Sequence, residues 1–215
     1  MLGVMFDKEH SYYDLGLMLT KYPDISPPVP KTKFVDVPGK DGALNLSKTL
    51  TGHMLYNRRT MQLSFAILAP RKLWPDIHSE IMDKLHGQDM SIVLDDDPEY
   101  MYTGTLAVEA YDPGKVTSGV TITADLEPYK KRILDTITAF TVDGTRTAAI
   151  TVERMPTVPV IAASAAMSMT FGGVTYALEA GENEFPDVIM RSGAYNTFTF
   201  TGSGDVSLKY KEGRF

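Results

Sequence analysis

Apolar residues recur at every second position through much of this chain. In residues 60–68, TMQLSFAIL, Met61, Leu63, Phe65 and Ile67 fall on one face and Gln62, Ser64 and Ala66 on the other. A period of two is that of a half-buried β-strand. The same period runs through YMYTGTLAVEAY, with Tyr100, Tyr102, Leu106 and Val108 in even register, and strands are expected at MSIVL and GVTITADL as well. Residues 2–22 hold two short apolar bursts, LGVMF and LGLML, around a polar turn, and are expected to form two short strands. One segment departs from this period. Trp74, Ile77, Ile81 and Leu85 recur at steps of three and four, which is one apolar stripe of an α-helix from about Pro75 to His86. Pro75 suits the first helical turn and Gly87 the left-handed residue just past the end. His86 falls in the last turn, where a cation suits the helix dipole, so it reads as a cap residue rather than a catalyst.

Between the first strands and residue 60 the pattern is broken by turn formers. YPDISPPVPK carries four prolines in ten residues, which cannot join a sheet interior because proline has no amide donor. An extended surface arm or sheet edge is expected there. The following VDVPGKDGALNLSKTLTG has turn pairs at Pro38-Gly39 and Asp41-Gly42, then alternation of Leu44 and Leu46 with Asn45 and Ser47. EPYKKRILDT interrupts the strand pattern again, and a domain boundary is expected near residues 129–135, giving domains 1–132 and 133–215. Beyond it the chain is rich in Thr, Val and Ala. TITAFTV, TAAITV, PVIAAS, MSMTF, VTYAL, DVIM, NTFTFTG and VSLKY read as eight short strands. Asp143-Gly144 and Gly172-Gly173 read as two-residue hairpin turns, and TGSGD (201–205) as a further turn. That spacing predicts an antiparallel β-sandwich, with Phe198 and Phe200 on its core face.

Length and composition bound the rest. The chain has 215 residues, enough for two domains of about 100 each. Apolar residues make up 43%, sufficient for packed cores, and the formal net charge of −6 argues against general binding to phosphates. The basic clusters NRR (57–59) and KKR (130–132) read as solvated surface. With no cysteine, the chain has no disulfides, thiol chemistry or zinc-finger sites, and it tolerates any redox compartment. No secretory signal is expected from the first residues, no segment is long and apolar enough to span a bilayer, and a start as a soluble cytosolic protein is expected.

The candidate chemistry is sparse. IVLDDDPEYMYTG (92–104) places three aspartates between apolar runs. A calcium loop of the EF-hand type needs glycine at position six and glutamate at twelve, but counting from Asp95 these are Tyr100 and Leu106. Contiguous aspartates on a strand also point to opposite sides. A turn is the better reading, with Pro98 presetting the second turn position; a cation site or catalysis are the weaker alternatives. Of the histidines His10, His53, His78 and His86, the last two are eight apart on one helix, too far to share an ion. There is no HExxH, no GxSxG and no phosphate-binding GxxxxGK. With 27 acidic residues, paired carboxylates for glycoside hydrolysis carry almost no signal. Tyr176 and Tyr195 are candidates for a surface sugar contact. No catalytic, metal or cofactor residues are assigned, and no cofactor is expected. From the residues alone this is a two-domain, mainly β protein without visible catalytic apparatus.

Taken in order, DVPGKDGALNLSKTLTG, the 74–88 segment ending LHGQ, IVLDDDPEYMYTGTL and ADLEPYKK resemble the N-terminal domain of the siphophage distal tail protein. FGGVTYALEAGENEFPDVIM, GAYNTFTFTGSG and GDVSLKYKEGRF resemble the middle and end of its C-terminal sandwich. The resemblance implies a mainly β fold of α+β type: an N-terminal β-sheet or barrel with one packed helix, like phage tail-tube folds, then a galectin-like or carbohydrate-module-like sandwich. It implies a structural virion protein and not an enzyme. Family members form a homo-hexameric ring at the tail tip, a baseplate hub made in the bacterial host cytoplasm. The ring joins the tail-tube protein to the tail-associated fibre or lysin protein and often carries receptor-binding machinery. DNA would pass through the bore without specific binding. Pro27, Pro28, Pro30, Leu44, Leu46, Arg58 and Arg59 are the subunit-interface candidates. The rival readings are a carbohydrate-binding sandwich or an accessory module of a glycan-active enzyme, and an injection particle of prophage or phage-like origin.

Overall fold

A computed structural model describes residues 3–49, 51–114 and 117–215; Leu2 of the first expected strand lies outside them. The chain divides into two compact units, residues 1–130 with Phe215, and residues 131–214. The expected boundary after residue 132 falls two residues further along.

The first unit is an antiparallel sheet carrying one helix. Its strands are β1 (Val4–Phe6), β2 (Glu9–His10), β3 (Leu17–Leu19), β4 (Asp24–Ile25), β5 (Phe34–Asp36), β6 (Ala43–Asn45), β7 (Arg59–Ile67), β8 (Asp89–Leu94), β9 (Tyr100–Pro113) and β10 (Ser118–Leu126). The order is β2-β1-β8-β9-β10-β7-β3, with β4 also on β7, and β5-β6 form a separate hairpin. The period of two does what it dictates: Met61, Leu63, Phe65 and Ile67, then Leu106, Val108, Val120, Ile122, Ala124 and Leu126, point into one core. Helix α1 (Trp74–Leu85) buries Trp74, Ile81 and Leu85 against that core, with Ile77 packed at its margin. A one-turn 3-10 segment, Arg71–Leu73, leads into it, and Trp74 Nε1 donates to Ala69 O at 2.8 Å.

Two local features of this unit have direct physical causes. A Cβ at Gly104 would stand 2.1 Å from Asp125 O, so only glycine lets β9 and β10 close at this point. Five residues along β9, the register of β9 and β10 shifts between Thr121 and Ile122, leaving Glu109 as an extra residue. The Val108 amide beside that bulge donates to His86 Nδ1 at 3.1 Å. Through Nδ1, His86 ties the end of the helix to β9.

The second unit holds β11 (Lys130–Arg132, shared with the first), β12 (Thr136–Ile150), β13 (Val160–Ala163), β14 (Met167–Phe171), β15 (Val174–Leu178), β16 (Gly181–Glu184), β17 (Asn196–Tyr210) and β18 (Gly213–Arg214). Three expectations fail here. Asp143-Gly144 is not a hairpin turn: β12 runs through it as one strand of 15 residues. TGSGD is not a turn either, since β17 is likewise continuous over 15 residues. DVIM is not a strand and contributes a single bridge, Thr157 to Met190. The eight expected segments therefore make five strands, β12 to β15 and β17, and β16 at GENE was not expected.

The reason lies in what the glycines meet. Gly144 pairs with Gly202, and Val142 with Gly204, in an unbroken antiparallel register. Gly202 and Gly204 have φ of 150° and 147°, and a Cβ would stand 2.6 Å from Met167 Cβ and 2.6 Å from Ser164 Oγ, respectively. The glycines mark a bend with close approach, where β17 leaves β14 on one side of the bend and takes up β13 on the other. The bend lets one six-stranded sheet fold over its own core of Val142, Ile161, Met169, Phe198, Phe200 and Leu208. Gly172-Gly173 is the expected two-residue hairpin turn, joining Phe171 and Val174 with both φ positive.

At the expected boundary the chain makes defined hydrogen bonds. Arg132 N–H donates to Glu212 O at 2.8 Å. Lys130 Nζ meets Asp97 Oδ2 at 2.5 Å.

Candidate assembly surface

The most unusual surface of the first unit is the β5-β6 hairpin. All six strand residues are exposed, and Phe34 is exposed by 58%. Val35 and Leu44 are exposed within it, and Val29, Val37 and Leu55 beside it. A lone two-stranded hairpin with no buried face is marginal in water, and clustered exposed apolar side chains mark contact surfaces. The base of this excursion is well held. Lys31 N–H donates to Leu55 O and Asn57 N–H to Val29 O, both at 2.8 Å, and Pro30 bridges Tyr56. Tyr56 meets Phe215 edge-on at 4.7 Å, and Phe215 stacks on Tyr129 at 5.0 Å.

The interface candidates separate into different environments. Pro27, Pro30 and Leu44 are exposed, Leu46 is half-buried and Pro28 is buried. Proline chemistry places the arm as expected: it lies along the edge of β7, tied there by β4 and by Ser26, whose amide donates to Thr60 O at 2.9 Å. Arg58 is exposed and grips Asp125, with Nε donating to Oδ2 at 2.8 Å and Nη2 to the backbone oxygen at 2.5 Å. Arg59, one residue on, points the other way because strand neighbours alternate. It is only 5% exposed, lies over the Tyr102 ring at 5.0 Å, and is buried in the isolated chain.

The aspartate run is a structural joint. Asp97 N–H donates to Leu94 O at 3.0 Å and Tyr100 N–H to Asp97 O at 3.2 Å, two successive turns with Pro98 second in the latter. Asp95 does more than cap a turn. Its Oδ2 accepts from Gly3 N–H at 2.9 Å and its Oδ1 lies 3.0 Å from His10 Nε2. His10 Nδ1 accepts from Tyr12 N–H at 3.1 Å and Tyr13 N–H at 3.4 Å, so the ring proton sits on Nε2 and is donated to Asp95. The carboxylate thus ties residues 3–13 to the β8-β9 turn, so Asp95, although exposed, does more than a simple turn residue would. Among the described residues no group of three or more His, Asp or Glu side chains is placed to hold a metal ion.

In the second unit Tyr195 is 73% exposed and Tyr176 leans on Phe185 at 4.8 Å as part of the core margin. The shallow groove of about 530 Å³ on this unit is lined by other residues, among them Phe140, Thr141, Ser164 and Asp205. Neither tyrosine belongs to it. Sequence reading missed this groove because its residues come from three strands that only the register brings side by side.

No protein-family model and no curated protein sequence matches this chain. Among solved structures, it is similar to SPP1 Dit (gp 19.1), whose crystal structure is described as a paradigm of the hub adsorption apparatus in phages infecting Gram-positive bacteria. The likeness has a TM-score of 0.71 at 12% identity and covers 100% of both chains. The chain therefore has the mainly β fold of that siphophage distal tail protein from end to end.

Proposed function

We propose that this chain is a structural subunit of the hub at the tip of a long, non-contractile phage tail. The observation that carries this reading is the full-length likeness to SPP1 Dit, across both units and in the same order. Fold alone does not specify function, and the β5-β6 hairpin adds an independent reason. Its exposed apolar residues lack cover in a single chain, which suits a subunit meant to be buried in an assembly. In this reading six copies close a ring. The hairpin and the proline-rich arm contact the neighbouring copy, the tube protein sits on one side and the fibre or lysin protein on the other. The role is architectural, and DNA passes through without being held. Six copies at −6 each carry 6 × (−6) = −36, a charge that repels rather than binds a phosphate backbone.

The test is the mass of the purified full chain by sedimentation, set against the monomer of 23.7 kDa. A closed oligomer is expected, and Phe34→Asp with Leu44→Asp should disperse it to folded monomers with an unchanged circular dichroism spectrum. A wild type that stays monomeric at high concentration, both alone and with a tube protein, would sink the proposal.

A further inference from the structure

Strand β12 is an open edge of the second unit. Its 15 residues pair with β17 along one side, and among the described residues no strand lies along the other. The unpaired N–H and C=O groups of such an edge are a template for a strand from another chain, and folds blunt it with short strands, proline or charge. The other two edges of this sheet are short. β15 has five residues and β16 has four, and β16 carries Glu182 and Glu184. β12 is far longer, holds no proline or lysine, and has Asp143 and Arg146 as its only charges.

The direction of the free groups on β12 follows from the strands behind it. Asp205 of β17 turns its backbone to Ser164: its N–H donates to Ser164 Oγ at 2.7 Å and its oxygen accepts from Ser164 N–H at 2.9 Å. Asp205 stands opposite Thr141. Opposed residues of an antiparallel pair exchange both backbone bonds or neither. Thr141 therefore turns its own N–H and C=O to the open edge, and Ile137 and Ala139, at every second position, do the same. The Thr141 oxygen is already taken. Arg146 Nη1 donates to it at 2.8 Å, and the guanidinium lies 4.8 Å from the centre of the Phe140 ring. We propose that Arg146 guards this edge, and that what it keeps off is β12 of a second copy of this chain. Laid antiparallel to itself and centred on Ala139, the edge sets Ile137 of each copy against Thr141 of the other, so all three free residues find partners. That pairing requires the Thr141 oxygen to accept from the Ile137 N–H of the second copy, which is the place that Arg146 Nη1 fills. Ile137 is 63% exposed and leaves the rest of the edge open to contact. The pairing is twofold, so it closes at two chains. It involves the second unit alone and does not depend on the hub reading.

The experiment uses the full chain carrying Phe34→Asp and Leu44→Asp, so that association through the hairpin does not mask pairing through β12. This parent is compared with the same chain carrying Arg146→Thr or Arg146→Met, by sedimentation over a series of concentrations. The parent should keep one mass. Both Arg146 variants should move from that mass to twice it as concentration rises, with an unchanged circular dichroism spectrum. The Ile137 and Ala139 amides should exchange more slowly with solvent in the dimer than in the parent. Arg146→Met keeps a side chain over Phe140, so it separates guarding the edge from packing, and it carries the test if Arg146→Thr fails to fold. Adding Ile137→Lys should return the parent's mass, because a charge on the edge opposes pairing. The proposal is overturned by Arg146 variants that match the parent at every concentration. Association that Ile137→Lys does not reverse, or that leaves the Ile137 and Ala139 amides exchanging as before, overturns it equally. A chain with Phe34 and Leu44 intact that never assembles would remove the hub reading and leave the guard standing. Ring formation by that chain, with Arg146 variants that do not pair, would do the reverse.

Discussion

Asp95 carries the clearest prediction at the scale of single residues. Its two oxygens serve the Gly3 amide and the His10 ring, and the other nitrogen of that ring serves two further amides. Asp95→Ala strands buried donors and should cost about 1–3 kcal/mol by urea unfolding. His10→Ala should cost a similar amount, and the double variant less than the two together, because they share one network. A loss for Asp95→Ala below about 0.5 kcal/mol would return it to the class of exposed turn residues. A chelator should leave melting unchanged. The phenols of Tyr102 and Tyr210 carry a second prediction. Both are held above the usual value, first of all by burial. The sign follows: the unfolded chain ionises these groups from about pH 10 and the folded chain resists. Their stabilising contribution is complete below that pH and is lost as pH rises through their raised values. Melting followed between pH 8 and 11 should show an alkaline fall that Tyr102→Phe and Tyr210→Phe make shallower.

Among the elements, the helix and the long strands teach different lessons. The stripe of Trp74, Ile77, Ile81 and Leu85 was legible because four residues at helical spacing admit one amphipathic solution. Leu85 is fully buried against the sheet, so Leu85→Ala should cost about 2–5 kcal/mol. The bend in β12 and β17 was not legible. Gly144, Gly202 and Gly204 carry the same local signal as a hairpin turn, and what separates the two is the partner each glycine meets across the sheet. Gly202→Ala would set a methyl group against Met167 and force a left-handed backbone on alanine, so it should destabilise the second unit by well over about 1 kcal/mol. An unchanged melting curve would mean that the bend is supported elsewhere.

At the scale of the whole molecule, the exposed apolar face of the β5-β6 hairpin is an unfavourable feature of a single chain. The full-length likeness to SPP1 Dit shows the fold, and the tail-hub assembly proposed above is what would cover that face. The compact first unit includes Phe215, packed on Tyr129 and Tyr56. A fragment ending at residue 130 therefore exposes those two rings. Hydrogen exchange near Tyr56 should be faster in that fragment than in the full chain, and equal rates would show that Phe215 contributes nothing to the base of the arm.

By itself the sequence determined the mainly β class, the helix, the inward faces of β7, β9 and β17, and the ordered set of segments that resembles a distal tail protein. Period and turn chemistry are local, and a side chain's face on a strand follows from its parity alone. Only the tertiary structure decided which strands lie side by side, that three glycine positions bend a sheet rather than end a strand, that Asp95 binds across 85 residues to His10, and that Arg59 is buried while Arg58 is not. Those outcomes depend on register between segments far apart in the chain. Nothing in a local window specifies which backbone, ring or carboxylate a given residue will meet.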